Sequence, residues 1–226
     1  MVDKIALNND SFKTRSYIYK LDGDNKIYAG PSWDYDGAFA EYLHHGKDWV
    51  DPKGSIFVGE ERLAWYSKLY NTPTFRNLIE EKLLTHSDEL EYLVNEKIDE
   101  YAEYIKVAVE NEDMRWNFSK GTKHRAGSYQ SWENNVRYLQ YFMNKRLQYI
   151  CALWEIENVG FDWKSTNEVH EVTLVIDGKV SEVVEVLDGE MILNLPERED
   201  DWRFSYSGEK YIDVLPILED CTLILK

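Results

Sequence analysis

Cysteine is scarce in this chain. Its 226 residues contain two, Cys151 in the apolar run YICALW and Cys221 in LEDCTLIL. Two thiols cannot build a disulfide framework or a cysteine-rich zinc centre, so both are expected to be buried and free. Basic residues are also in deficit, 26 Lys and Arg against 42 Asp and Glu, which leaves a net charge of −16. No Lys/Arg stripe is present that could release counterions from a phosphate backbone, and this excludes nucleic acid as a partner. Apolar runs stop well short of the roughly 20 residues that cross a bilayer, so no membrane span is expected. The first twenty residues, MVDKIALNNDSFKTRSYIYK, lack the apolar block of a signal peptide. The chain therefore reads as soluble and without an export signal. What it has in quantity is core material: 43% hydrophobic residues, with eight Trp and sixteen Tyr. A chain of this composition folds.

From Ser16 to Gly30 the pattern SYIYK, LDGDN, KIYAG predicts a β-hairpin turning at Asp22-Gly23. Pro31 to Gly59 mixes Gly, Pro, His and Asp without periodicity and reads as a long irregular segment. Helical spacing then returns. A first helix holds Leu63, Ala64, Tyr66, Leu69 and Tyr70. A second starts with Thr72 as cap and Pro73 in the first turn, and carries Phe75, Leu78, Ile79 and Leu83. A third runs from Ser87 through Leu90, Val94, Ile98, Tyr101, Ile105 and Ala108. A fourth, from Ser131 to Trp154, presents Val136, Leu139, Met143, Leu147, Ile150 and Trp154. Bundle packing along these stripes is expected, with their Tyr and Trp residues in the core. The polar loop from Asn117 to Tyr129 clusters Lys120, Lys123, His124 and Arg125 and reads as solvated.

Beyond Lys164 the period falls to two. VTLVIDGKV and VVEVLDGEMIL each place an Asp-Gly pair between β-rich runs, and WRFSYSGEKYI and CTLILK add strands. From Ser165 onward 15 acidic residues face 5 basic ones, a net charge of −10. The fold class is therefore α+β, with residues 1–163 forming the hairpin and about four helices and residues 164–226 a small acidic antiparallel β domain. The aromatics Trp202, Tyr206 and Tyr211 read as sandwich core, with stacking on a glycan as the alternative.

The residues most suggestive of chemistry flank the hairpin: Asn8-Asn9-Asp10 before it and Gly30-Pro31-Ser32-Trp33-Asp34-Tyr35-Asp36 after it. Strand separations of about 4.8 Å let the reversal bring Asp10 and Asp34 within roughly 5 to 10 Å despite their separation in sequence. One carboxylate can then accept a proton from a substrate hydroxyl. The other, with Asp36, can bind a divalent cation through hard oxygens. A two-carboxylate hydrolase would use the same pair differently. His44-His45 reads as loop histidine and not as a metal site.

Carboxylate, hairpin, carboxylate is also the order of the catalytic and metal-binding loops of protein kinases. The run YIYKLDGDNKIYAGPSWDYDGAFA, with its Gly-Pro-x-Trp-Asp-aromatic-Asp core, resembles the CotH-type kinase family, atypical kinases first associated with bacterial spore coats. WYSKLYNTPTFRNLIEEKL and the later Asn111, Arg115, Trp116 and Arg146 are similar to that family as well, and the likeness spans about Asn8 to Trp154. The resemblance implies a kinase-like C-lobe in which Asp10 is catalytic, Asp34 binds metal and Asp36 is a second acid beside it. It further implies ATP with Mg²⁺ or Mn²⁺, and phosphorylation of Ser on a partner protein, a coat or cell-surface component. Relatives are spore-coat or secreted. Two departures stand out. Arg15 occupies the place of an amide metal ligand five residues after Asp10, and only nine residues precede Asp10, so the nucleotide-covering lobe is expected to be missing from this chain, which reads as a fragment of a longer protein or a reduced member, and transfer by the chain alone is not expected. A noncatalytic scaffold, with Arg15 neutralising Asp34 or Asp36, is the rival reading. Arg115 and Arg146 are expected to brace the helices through acidic neighbours.

Overall fold

A computed structural model describes residues 2–8, 17–35, 37–40, 47, 50–54, 68–69, 71–116, 129–157, 160–196 and 201–226. The short helix α1 (Val2–Ile5) precedes a two-stranded antiparallel hairpin, β1 (Ile18–Tyr19) and β2 (Tyr28–Ala29), in which Ile18 pairs with Ala29 and Tyr19 with Tyr28. Helices α2 (Pro73–Thr85), α3 (Ser87–Tyr92), α4 (Ile98–Trp116) and α5 (Trp132–Leu153) follow, with a π-helical turn at Leu93–Lys97 joining α3 to α4. The C-terminal part forms a four-stranded sheet from β3 (Val169–Ile176), β4 (Lys179–Leu187), β5 (Trp202–Phe204) and β6 (Cys221–Leu225), in the order β4-β3-β6-β5. The fold class is α+β, and the sheet is antiparallel except for the β3–β6 pair, which is parallel.

Helix α5 is the centre of the molecule. Ser131 caps it, its hydroxyl accepting the Asn134 N–H at 3.0 Å. Along the expected stripe, Val136, Met143, Leu147, Ile150 and Trp154 are buried. One continuous apolar cluster joins Met143, Leu147, Ile150 and Trp154 to Ile5 and Leu7 and to Val172, Leu174, Phe204 and Leu223 of the sheet. Cys151 and Cys221 are both buried free thiols in this cluster.

The other helices depart from the expected bundle. Pro73 opens α2 as expected, but the Thr72 hydroxyl donates to the Lys68 carbonyl at 2.8 Å and does not cap. On α2 only Leu83 is fully buried; Ile79 packs against the cluster and Leu78 is exposed. The larger correction concerns α4, which has no buried residue. The stripe reads correctly as far as Val94, and then the π turn intervenes. That turn takes in one extra residue, so every later position rotates by about one place. Ala102, Lys106, Val109 and Asp113 become the half-buried positions, whereas Tyr101, Tyr104, Ile105 and Trp116 stand in solvent. The first expected helix is described only at residues 68–69, and the Lys120 to Arg125 cluster and His44-His45 lie outside the described residues.

Two polar joints hold the parts together. The first is Arg146, which has no exposed surface. Its guanidinium donates twice to the Lys4 carbonyl, at 2.9 and 2.7 Å, and also to the carbonyls of Pro52 at 2.8 Å and Gly54 at 2.6 Å. Arg146 does brace the helices, but through backbone oxygens and not through the acidic neighbours expected of it. Burial pushes its pKa down to about 10, so it stays charged at neutral pH. Arg115 lies over the Trp116 ring, 4.9 Å from its centroid.

The second joint is Asp188. Of the two Asp-Gly pairs, Asp177-Gly178 forms the β3–β4 turn with both residues at positive φ, the geometry such a turn demands. Asp188-Gly189 does not form a hairpin. The Asp188 side chain is wholly buried and accepts from Arg137 at 2.6 Å, His170 Nε2 at 3.0 Å and the Thr166 N–H at 2.8 Å. Gly189 sits so close to the Trp163 ring that a Cβ would fall 2.1 Å from it, and its φ is +82°. Burial alone would push the Asp188 carboxyl up, but the hydrogen bonds from Arg137, Thr166 and His170 outweigh it and hold the group down at about 2.

Replacing Arg146 by Met should cost about 3–5 kcal/mol in urea unfolding, because three buried carbonyls lose their donor; Arg146→Lys should restore less than half, since an ammonium cannot reproduce the fork. Asp188 is depressed in the folded state relative to 3.8 unfolded, so its stabilisation is complete above about pH 4 and drains away toward about pH 2. Thermal unfolding followed from pH 5 to pH 2 should show that loss in the native chain and a flatter acid limb in Asp188→Asn.

Candidate functional site

The hairpin that separates the two candidate carboxylates is held locally. Tyr19 and Tyr28 stack across it with ring centroids 5.3 Å apart. The Gly30 N–H returns to the Tyr17 carbonyl at 2.9 Å, and Asp24 N–H to Leu21 C=O closes the turn at 3.2 Å. At the turn, the Asp24 carboxylate accepts from the Tyr28 hydroxyl at 2.5 Å and the Lys26 N–H at 2.9 Å. Those bonds, Tyr28 first, hold Asp24 below its ordinary pKa.

After the hairpin the chain enters Gly30–Asp36. Trp33 and Asp34 are exposed, and Asp34 adopts a φ of +60°, a left-handed conformation that a residue with a Cβ adopts at some cost. Tyr35 turns inward. Its hydroxyl donates to Asp3 Oδ1 on α1 at 2.5 Å. Burial first and Asp3 second push the Tyr35 phenol up to about 12. Two residues further on, the chain dives into the core. Ala38 and Ala40 are buried, and the Phe39 N–H reaches the Ala6 carbonyl at 2.7 Å.

Helix α1 is thus gripped from two sides, by Arg146 through the Lys4 carbonyl and by Tyr35 through Asp3. Lys4 shares this confined space, and burial followed by the neighbouring Arg146 charge lowers its pKa to about 8. The consequence for the site is direct. Helix α1, at the start of the segment leading to Asp10, and the segment carrying Asp34 are joined where the Tyr35 hydroxyl meets Asp3. Asp10, Asp36 and Arg15 themselves lie outside the described residues. Asp34 is described, and an exposed carboxylate is a suitable hard-oxygen ligand for Mg²⁺ or Mn²⁺. Among the described residues, no group of three or more His, Cys, Asp or Glu could hold a metal ion.

Sequence reasoning did not single out Asp3 or the Tyr35 hydroxyl. The aromatic of the motif was noted for its ring, but the hydroxyl's partner stands 32 residues away and leaves no local signature. The aromatics of the C-terminal part agree with the core reading: Trp202 and Tyr211 are buried, and the Tyr211 hydroxyl accepts the Ile192 N–H at 2.9 Å.

The molecule is an α+β protein in which an exposed carboxylate stands on the loop after the hairpin, braced through Tyr35 against helix α1. A family model described as CotH kinase protein matches residues 1–150, and the chain belongs to that family. Neither the curated proteins nor the solved structures yield a match.

Removing the Tyr35 hydroxyl as Tyr35→Phe should lower stability by about 1–2 kcal/mol at neutral pH, the worth of a hydrogen bond to a charged acceptor, measured by denaturant unfolding. Asp3→Asn should cost a similar amount, and the double substitution should cost less than the sum of the two.

Proposed function

We propose that this chain supplies the catalytic and metal-binding face for phosphoryl transfer from ATP to a serine hydroxyl on a partner protein. The observation that carries the reading is the bond from Tyr35 to Asp3, which ties the loop of Asp34 to helix α1, seven residues before Asp10, in a member of the CotH kinase protein family. In this reading Asp10 accepts the serine proton as the hydroxyl oxygen attacks the γ-phosphorus. The bond from that phosphorus to the β,γ-bridging oxygen breaks, and ADP leaves with the bonding pair. Asp34 and Asp36 hold Mg²⁺ or Mn²⁺, which when bound offsets the negative charge of the phosphates. The Tyr35–Asp3 bond fixes the loop that bears them. The acceptor is a serine-bearing protein of a coat or cell surface.

A second reading, a noncatalytic binding module, draws on a different observation: the outer face of α4 offers Tyr101, Tyr104, Ile105 and Trp116 to solvent. One comparison separates the two. Mn²⁺ binding followed by electron paramagnetic resonance should weaken at least tenfold in Asp34→Asn, and labelled phosphate transfer from ATP to a serine-bearing acceptor, measured with a nucleotide-binding lobe supplied, should fall at least a hundredfold in both Asp10→Asn and Asp34→Asn. Unchanged Mn²⁺ affinity in Asp34→Asn, with the fold intact, would favour the binding module.

A further inference from the structure

The long strand β4 lies at one edge of the C-terminal sheet, and among the described residues nothing pairs with its outer side. The opposite edge is different: β5 has three residues and is covered by a bridge from Arg203 to Lys210. β4 has nine residues, and alternate backbone N–H and C=O groups along a strand point away from its neighbour. Such an edge is a template for one more strand.

Its side chains specify which strand. The register pairs Val169 with Leu187, Thr173 with Val183 and, past the irregularity after Leu174, Val175 with Val180. These pairs share the face of the sheet turned away from the core residues Val172, Leu174 and Val186. On that outer face Val180 is 64% exposed, Val183 52%, Leu187 44% and Val169 56%. In their midst Glu171 stands directly opposite Glu185, a like-charge cross-strand pair that opposes sheet formation unless a cation relieves it. Neither carboxylate has an ion-pair or hydrogen-bond partner among the described residues. Glu182, three positions before Glu185 and on the other face, is exposed as well.

We propose that β4 is a docking edge for an extended cationic peptide segment. The segment adds as a fifth strand and presents basic residues three apart, one beside Glu185 on the outer face and one beside Glu182 on the other. An aliphatic residue between them covers Val183, and one beyond the residue beside Glu185 covers Leu187. The carboxylates select against a second copy of this chain: its own β4 carries the same two glutamates, and the part from Ser165 onward has a net charge of −10. The docking mode is β-strand addition, with backbone bonds giving affinity and the charges giving choice of partner. It does not depend on phosphoryl transfer.

The probe is the peptide acetyl-Val-Thr-Lys-Val-Val-Lys-Val-Thr-amide, titrated into the full chain. Its controls are the same peptide with Glu in place of Lys, and one of unchanged charge with Pro in place of the central Val-Val. The basic peptide should bind at least tenfold more tightly than either control, shift backbone amide resonances along β4, and slow hydrogen exchange there. The paired substitutions Glu182→Lys and Glu185→Lys, both at exposed positions, should reverse the preference toward the Glu peptide while far-ultraviolet circular dichroism stays unchanged. Absent binding, equal binding of the Pro peptide, or shifts lying elsewhere would overturn the proposal. So would a dimer of the free chain paired through β4, seen by sedimentation, which would assign the edge to a second copy.

Discussion

Four hydrogen bonds from one guanidinium decide how the N-terminal third of this protein sits. Arg146 projects from the middle of α5 into a space without solvent and there meets the carbonyls of Lys4, Pro52 and Gly54. A buried cation is costly unless its donors are met, and here backbone dipoles meet them without a carboxylate at ion-pair distance among the described residues. The choice has a consequence for geometry. Carboxylate side chains rotate, whereas carbonyls are fixed by the path of the chain, so Arg146 fixes that path itself: the end of α1 and the 50–54 loop must both present oxygens to one planar fork. From α1 the constraint passes through Asp3 to Tyr35 and so to the loop of Asp34. The candidate site is thus referred, bond by bond, to the most buried helix.

Asp188 performs the matching task for the sheet. It lies where β4 ends, yet its strongest partner, Arg137, belongs to α5, and its third, His170, to β3. Tyr129, just before α5, adds a bond to the Pro216 carbonyl at 2.6 Å, and Tyr141 meets Trp163 edge to face with centroids 5.3 Å apart. Helix α5 therefore carries an arginine for each side of the molecule, Arg137 toward the sheet and Arg146 toward α1; nine residues apart, they project from roughly opposite sides of the helix.

Local signals were readable and distant ones were not. The hairpin, the start of α5 next to Ser131, the Pro73 start and the Asp177-Gly178 turn are each set by a few adjacent residues, and each stands where the sequence puts it. Asp188-Gly189 carries the same dipeptide as Asp177-Gly178 and does something else, because Arg137, 51 residues earlier, supplies a charge that draws the carboxylate inward. Arg146 was legible as a brace but not in its partners, since carbonyls have no identity in a sequence. The stripe of α4 failed at a single backbone event: periodicity assumes a constant turn, and the π turn at Leu93–Lys97 shifts every later residue by one. At the site, the loop of Asp34 was legible from its motif. The bond that orients it, from Tyr35 to Asp3, was not.

Charge sets the terms on which the two surfaces can work. In the proposed reaction a nucleotide would bring several negative charges toward a chain of net −16, and the exposed Asp34 would add to the opposition. Two unit charges 4 Å apart near a surface oppose each other by about 4 kcal/mol, more than an ordinary hydrogen bond returns. Phosphoryl transfer as proposed would therefore depend on a divalent cation, and cation and nucleotide would each raise the affinity for the other by the same factor. The β4 edge has the reverse character. Its glutamates attract what they are meant to hold, and no intermediary is needed. Added salt screens both fields, easing the approach of the nucleotide and weakening the hold on a cationic strand, so ionic strength acts on the two surfaces with opposite sign.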